Sequence, residues 1–209
     1  PSYRANSDIA RDFLDLAFNL ESGRSLPTLT RFEGPISVRV TGRPSAGLGS
    51  DLNRLLHRLR TEAHINIRQN QADTANITIE AVSRKEIRAM LPQAACFVAP
   101  NVSSLAQYRL ARRTSLVNWT GLKERKRLSI FLPNDASPQE VRDCLHEELA
   151  QALGPLNDLY RLSDSVFNDD NVHTVLTGFD MLILRAYYDP SLHNGMQKSE
   201  VAKRISPIL

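Results

Sequence analysis

The sequence predicts one α+β domain spanning residues 1–209, and three observations carry that prediction. Short runs alternating apolar and polar residues interleave with stretches of helical periodicity, so strands and helices are mixed along the chain. The 209 residues contain no linker, internal repeat or low-complexity tract. A chain of this length buries roughly 70% of its unfolded surface, enough for a core without staples.

The elements follow in order. Ser7 is a candidate N-cap for a helix over 7–20, with Ile9, Phe13, Leu16, Ala17 and Leu20 at helical spacing. Ile36, Val38 and Val40 alternate with Ser37 and Arg39, the pattern of a half-buried strand. Leu48, Leu52, Leu55, Leu56 and Leu59 then line one face of a second helix, and Ile65/Ile67 and Ile77/Ile79 mark two further strands. Ser83 and Glu86 form a capping-box signature for a short helix that ends before Pro92. Residues 95–99 read as a buried strand, 101–127 as a long, weakly patterned loop, and 128–132 as another strand.

Bulk properties exclude little. The net charge is only +3, and the apolar and charged fractions, 42% and 23%, are ordinary globular values. Basic residues cluster at Lys123–Arg127 with Arg112 and Arg113 nearby, but few aromatics interleave with them. That argues for a solvated loop and against nucleic acid as a partner. No apolar run reaches the roughly 18 residues of a membrane span. The sequence starts at Pro1, so a removed leader or a lipidated N-terminus is an open means of membrane attachment. Cys96 and Cys144 lack metal or redox spacing; they are either two buried thiols or one disulfide.

The strongest start signal is Ser137-Pro138-Gln139-Glu140, with an N-cap, a proline at the first helical position and a capping box. The helix should run to Leu153, with Gly154 turning the chain just past its end. Val141, Leu145, Leu149 and Ala152 form its buried stripe, and Glu148 falls inside it, about 20° from Val141. A carboxylate there is costly unless an Arg or a backbone N–H pairs with it or a cleft opens beside it. Glu147 and Gln151 sit one turn apart on the adjoining flank.

Glu147-Glu148-Leu149-Ala150-Gln151-Ala152-Leu153-Gly154-Pro155-Leu156-Asn157-Asp158 resembles the metzincin pattern HExxHxxGxxH/D. In that pattern three ligands hold Zn²⁺ and the intervening Glu activates its water. The resemblance puts Glu148 at the general-base position and Gly154 at the turn. It puts Glu147, Gln151 and Asn157, or Asp158 one residue on, at the ligand positions. Starting the pattern at His146 instead would place Ala150 and Leu153 where a ligand and the glycine belong, so that register fails. Residues 163–168 are similar to a Met-turn with Phe167 in place of methionine, and residues 176–196 resemble the tail that follows it in several zincin-like families. Over 128–196 the chain resembles an uncharacterised proteobacterial family of envelope proteins and lipoproteins marked by C-x-x-E-E-L-x-Q-x-L-G-x-x-N-D. The resemblance implies a zincin-like mixed sheet with packed helices and a periplasmic or outer-envelope location. With the start at Pro1, that location favours a Cys96–Cys144 bridge.

The departures from the pattern decide the chemistry expected. Zinc sites use imidazole, thiolate and carboxylate ligands, whereas Gln151 and Asn157 offer neutral amide oxygens. The expectation is no zinc, no cofactor and no activated water, with the amides satisfying Glu147 and Glu148 in the metal's place. His146, His173 and His193 read as scattered surface residues. The function expected is non-catalytic binding or assembly with a protein partner in the cell envelope, through the old cleft or the 101–127 loop. The alternative is an atypical metal-dependent peptidase with Glu148 as general base.

Overall fold

The computed structural model describes residues 4–170 and 172–209; Pro1, on which the expectation of a removed leader rests, lies outside them. The order is α1 (Asn6–Ala17), β1 (Ile36–Gly42), α2 (Leu48–Glu62), β2 (Ile67–Gln69), β3 (Ile77–Val82), α3 (Arg84–Met90), β4 (Phe97–Pro100), α4 (Leu105–Ala111), β5 (Leu128–Pro133), α5 (Pro138–Leu153), α6 (Gly178–Tyr187) and α7 (Lys198–Ile208). The strands form one mixed sheet in the order β2-β1-β3-β5-β4, parallel except for β4, which runs antiparallel to β5 at the edge. The fold is α+β, as expected.

Strand burial explains the layering. All six residues of β5 are buried, the signature of a central strand covered on both faces. Successive side chains point to opposite faces, so Ile130 and Leu132 join the large core under α1, α2, α5, α6 and α7. Phe131 enters a smaller core with Phe97, Ile87, Met90, Val102 and Leu105 under α3 and α4. Phe97 lies directly opposite Phe131 in the β4–β5 pair, their rings 4.8 Å apart.

Three boundaries differ from the sequence reading. The first helix starts after Ala5 and ends at Ala17, so Ser7 lies inside it and Leu20 in the following turn. Phe18 to Ser25 folds back through an Asn19–Ser25 bridge, which outcompetes a further helical turn. The 95–99 strand is shifted to 97–100, leaving Ala95 exposed and Cys96 half-buried just before it. Residues 101–127 are not a structureless loop. Ser104 accepts from the Gln107 N–H and caps α4, and two single 3₁₀ turns, Ser115–Val117 and Trp119–Gly121, follow.

Candidate functional site

The frame of the site is α5, held at both ends. At its start the Ser137 Oγ accepts from the Glu140 N–H (3.2 Å) while the Glu140 carboxylate accepts from the Ser137 N–H (3.0 Å). Those bonds, and then Arg84 at 3.1 Å, hold the Glu140 carboxyl below its ordinary range. At its end the helix leaves carbonyls without intrahelical donors. Arg125 supplies them, donating to Gln151 and Ala152 O (2.9 Å each) and to Gly154 O (2.7 Å). This arginine, in the middle of the basic run read as solvated, is 2% exposed, and its guanidinium lies over the Trp119 ring.

Gly154 closes the helix, though not through the left-handed turn expected of it: its φ is −154°. A Cβ there would come within 3.2–3.3 Å of Tyr187 and Leu184, so any larger residue needs those side chains to give by a few tenths of an ångström. Phe167, at the Met-turn position, is fully buried; its N–H donates to Ser165 Oγ and its carbonyl accepts from Leu159.

Cys96 and Cys144 form a disulfide across a Cα–Cα distance of 6.0 Å, tying the approach to β4 to the second turn of α5. One turn beyond Cys144 on the same side is Glu148. With Glu147, Gln151, Glu21, Phe97, Val98 and Trp119 it lines a cleft of about 750 Å³ between α5 and the edge of the sheet. Across the disulfide lies a smaller cavity of about 240 Å³ bounded by Arg84, Arg88 and Asp143.

Glu147, Glu148 and Gln151 share the cleft lining, but Asn157 is not part of it and the amides do not bond the carboxylates as expected. The Gln151 amide donates to Glu21 at 3.4 Å, and the Asn157 amide donates to the Asp15 carbonyl at 3.0 Å. Neither amide satisfies Glu147 or Glu148. Asn157 thereby faces the end of α1, sharing the half-buried Asp15 carbonyl with the Asn19 amide, which donates to it at 3.2 Å. Asp158 takes the place beside the cleft: its carboxyl hydrogen-bonds that of Glu21, and its second buried oxygen has no partner. Glu148 is 6% exposed and meets no hydrogen-bond donor among the described residues.

The result is a concentrated negative region. Burial, then Glu21 and Asp143, push the Glu147 carboxyl up to about 7. Burial raises Glu148 well above its ordinary value, with Glu147, Glu21 and Asp158 adding repulsion. Asp158 is raised by burial and by the carboxyl–carboxyl bond to Glu21. A carboxyl beside other carboxyls relieves the field by keeping a proton, and the Glu21–Asp158 hydrogen bond itself requires one.

The donor set does not suit zinc. It holds carboxylate and amide oxygens without imidazole or thiolate. Among the described residues no group of three or more His, Cys, Asp or Glu side chains is placed to hold a metal ion. His146 is turned away from the cleft, and it is buried rather than a surface residue. Its Nδ1 accepts from the Leu176 N–H at 3.0 Å, and burial, then Arg58, lowers its pKa to about 4.

The family model described as protein of unknown function (DUF2927) matches residues 6–206, so it takes in the α5 motif, Glu21 and both cysteines. The chain belongs to the DUF2927 family. No curated protein and no solved structure matches this DUF2927 member. The disulfide is compatible with a location outside the cytoplasm, and no described helix is long and apolar enough to cross a membrane. Two residues of the DUF2927 site had no usable signal in the sequence. Glu21 reaches the cleft only because of the Asn19–Ser25 bridge, and Arg125 was hidden among its basic neighbours.

Proposed function

We propose that this chain is a non-catalytic, zincin-like binding protein of the cell envelope whose cleft takes an extended segment of a partner protein carrying a basic side chain. Glu148 carries the reading. It is a nearly buried carboxylate facing a cleft, with no donor of its own and three other acids nearby. A guanidinium or ammonium from a ligand supplies the missing partner and relieves the repulsion together. The edge strand β4 offers an unpaired backbone edge for strand addition, and Phe97, Val98 and Trp119 offer apolar contacts for flanking side chains.

The parallel sheet with one antiparallel edge strand beside the motif helix supports the zincin-like reading, and the disulfide supports a periplasmic or outer-envelope location. Loss of catalysis rests on the ligand positions, where Glu147 and the amides of Gln151 and Asn157 stand in place of imidazoles.

Trp119 is the only tryptophan and lines the cleft, so its fluorescence reports occupancy. The peptide Ala-Ala-Arg-Ala-Ala should shift Trp119 emission, its Gln counterpart should not, and both should stay intact by mass spectrometry. The double substitution E147Q/E148Q should weaken the Arg peptide roughly thirtyfold. Equal responses to the two peptides, or none, would sink the reading. Metal-dependent cleavage abolished by E148Q would establish the peptidase alternative in its place.

A further inference from the structure

Charge is unevenly distributed along this chain. Residues 83–127 carry ten Lys and Arg against two acids, a net of +8, although the whole chain is only +3. Within that span α3, α4 and the 3₁₀ turn Ser115–Val117 pack with β4 around the smaller core on one side of the sheet, while Trp119 packs on the large one. The Arg112 guanidinium, donating to Ala89 O, holds the end of α4 against α3. The Asn101 amide donates to Leu116 O, and Arg127 donates to Asn101 O. These bonds bring Leu116 beside Lys123 and Lys126 around one shallow hollow.

Little of this charge is used internally. Arg125 is consumed by the α5 carbonyls, Arg84 pairs with Glu140, and Lys126 pairs with Glu124. Lys85, Arg88, Arg109, Arg113 and Lys123 are exposed and in no ion pair among the described residues. Among them stand two bare aliphatic side chains, Leu110, 86% exposed between Arg109 and Arg112, and Leu116, 48% exposed. The aromatics of the region are committed elsewhere. Tyr108 packs on Phe97 at 5.0 Å, and Trp119 lies under Arg125.

We infer that this face docks on the surface of a bilayer rich in anionic phospholipids. Lys85, Arg88, Arg109, Arg113 and Lys123 meet the headgroup charge, and Leu110 enters the boundary between headgroups and acyl chains. Unpaired bases around an exposed aliphatic residue match an interface that is anionic outside and apolar just beneath. A nucleic-acid surface would instead present rings for base stacking, whereas here Tyr108 packs on Phe97 and Trp119 lines the cleft. The inference is independent of the cleft.

The test is sedimentation of the full chain with sucrose-loaded vesicles of phosphatidylcholine alone, or of equal parts phosphatidylcholine and phosphatidylglycerol. Binding is expected only to the second, and should be lost at high salt. R109A/R113A should weaken it roughly 25-fold, about fivefold per charge. L110S, which leaves the charge untouched, should weaken it too, separating insertion from attraction alone. Each of these residues is exposed, and unchanged circular dichroism would confirm that the variants fold. Equal binding to both vesicles, binding to neither, or wild-type binding by both variants would overturn the inference. So would tighter binding to a duplex DNA fragment than to the anionic vesicles, which would make the face a nucleic-acid surface.

Discussion

Raising the pH from 6.5 to 8.5 should destabilise this protein, and the cleft carboxylates set the amount. Glu147 and Glu148 have folded pKa values above their unfolded ones, so over this window the folded chain holds more protons than the unfolded chain, and stability falls as pH rises. A carboxyl that stays protonated in the folded state costs about 1.36 kcal/mol per pH unit. Asp158, pushed up to about 8, contributes about 2 kcal/mol across two units, and Glu148, raised well above its ordinary value, acts in the same direction. Glu147, with its folded pKa about 7, titrates early in the window and adds just under 1 kcal/mol. Solvent at the cleft mouth trims the Glu147 and Asp158 contributions, leaving roughly 2 kcal/mol, or roughly 4–8 °C in Tm for a chain of this size. The window begins at 6.5 because His146 opposes the trend below it. Its folded pKa of about 4 means that stability is lost on acidification from 6.5 downward. Urea denaturation at both pH values measures the effect, and E148Q should make the slope shallower. Wild-type stability that is flat or rising across the window, or an E148Q slope equal to wild type, would refute the account of Glu148 as a buried, unpaired acid.

Other outcomes follow from single residues. R125K should lose about 3–4 kcal/mol by urea denaturation, because a lysine cannot reach three buried carbonyls in one plane. G154A should cost about 1–3 kcal/mol, since the rings and methyls of Tyr187 and Leu184 cannot withdraw within a packed core. Non-reducing mass spectrometry of the native protein should show no free thiol, and reduction should lower stability by about 4 kcal/mol for a closure of 48 positions. The His146 imidazole should stay neutral down to about pH 4 when followed by NMR; a titration near 6.5 would mean that its bond to Leu176 is not kept.

The parts of the fold visible in the sequence are those written locally. The capping boxes at Ser83/Glu86 and Ser137/Glu140 set their helices within a few residues, and both are present. The alternation of Ile36 and Val38 placed β1, whose burial also alternates at its start, and Ile77 and Ile79 placed β3, although that strand is buried on both faces. α4 was missed because Gln107, the third residue after its cap, sits in a stretch without apolar rhythm. The site was harder to read because its determinants are distant in sequence. Glu148 was visible as an acid on a buried stripe, but what surrounds it was not: Glu21 comes from 127 positions earlier and Asp158 from the segment past the helix. Gln151 and Asn157 fit the motif's spacing, yet each amide donates to an oxygen on or just after α1, a preference no one-dimensional pattern encodes.

Mechanically, α5 is a beam clamped at both ends and bolted near its middle. Ser137 and Glu140 grip one end, Arg125 grips the other, and Cys144 is pinned to the approach to β4. A helix free to fray or roll would let its crowded acids drift apart; this one has no such slack. Repulsion among Glu147, Glu148 and their neighbours is then vented only by gaining protons or by admitting a cation, so the cleft changes state through its contents while its walls stay where they are. Acid media and cationic ligands become competitors for one seat, and a compartment's acidity would tune how readily that seat is taken.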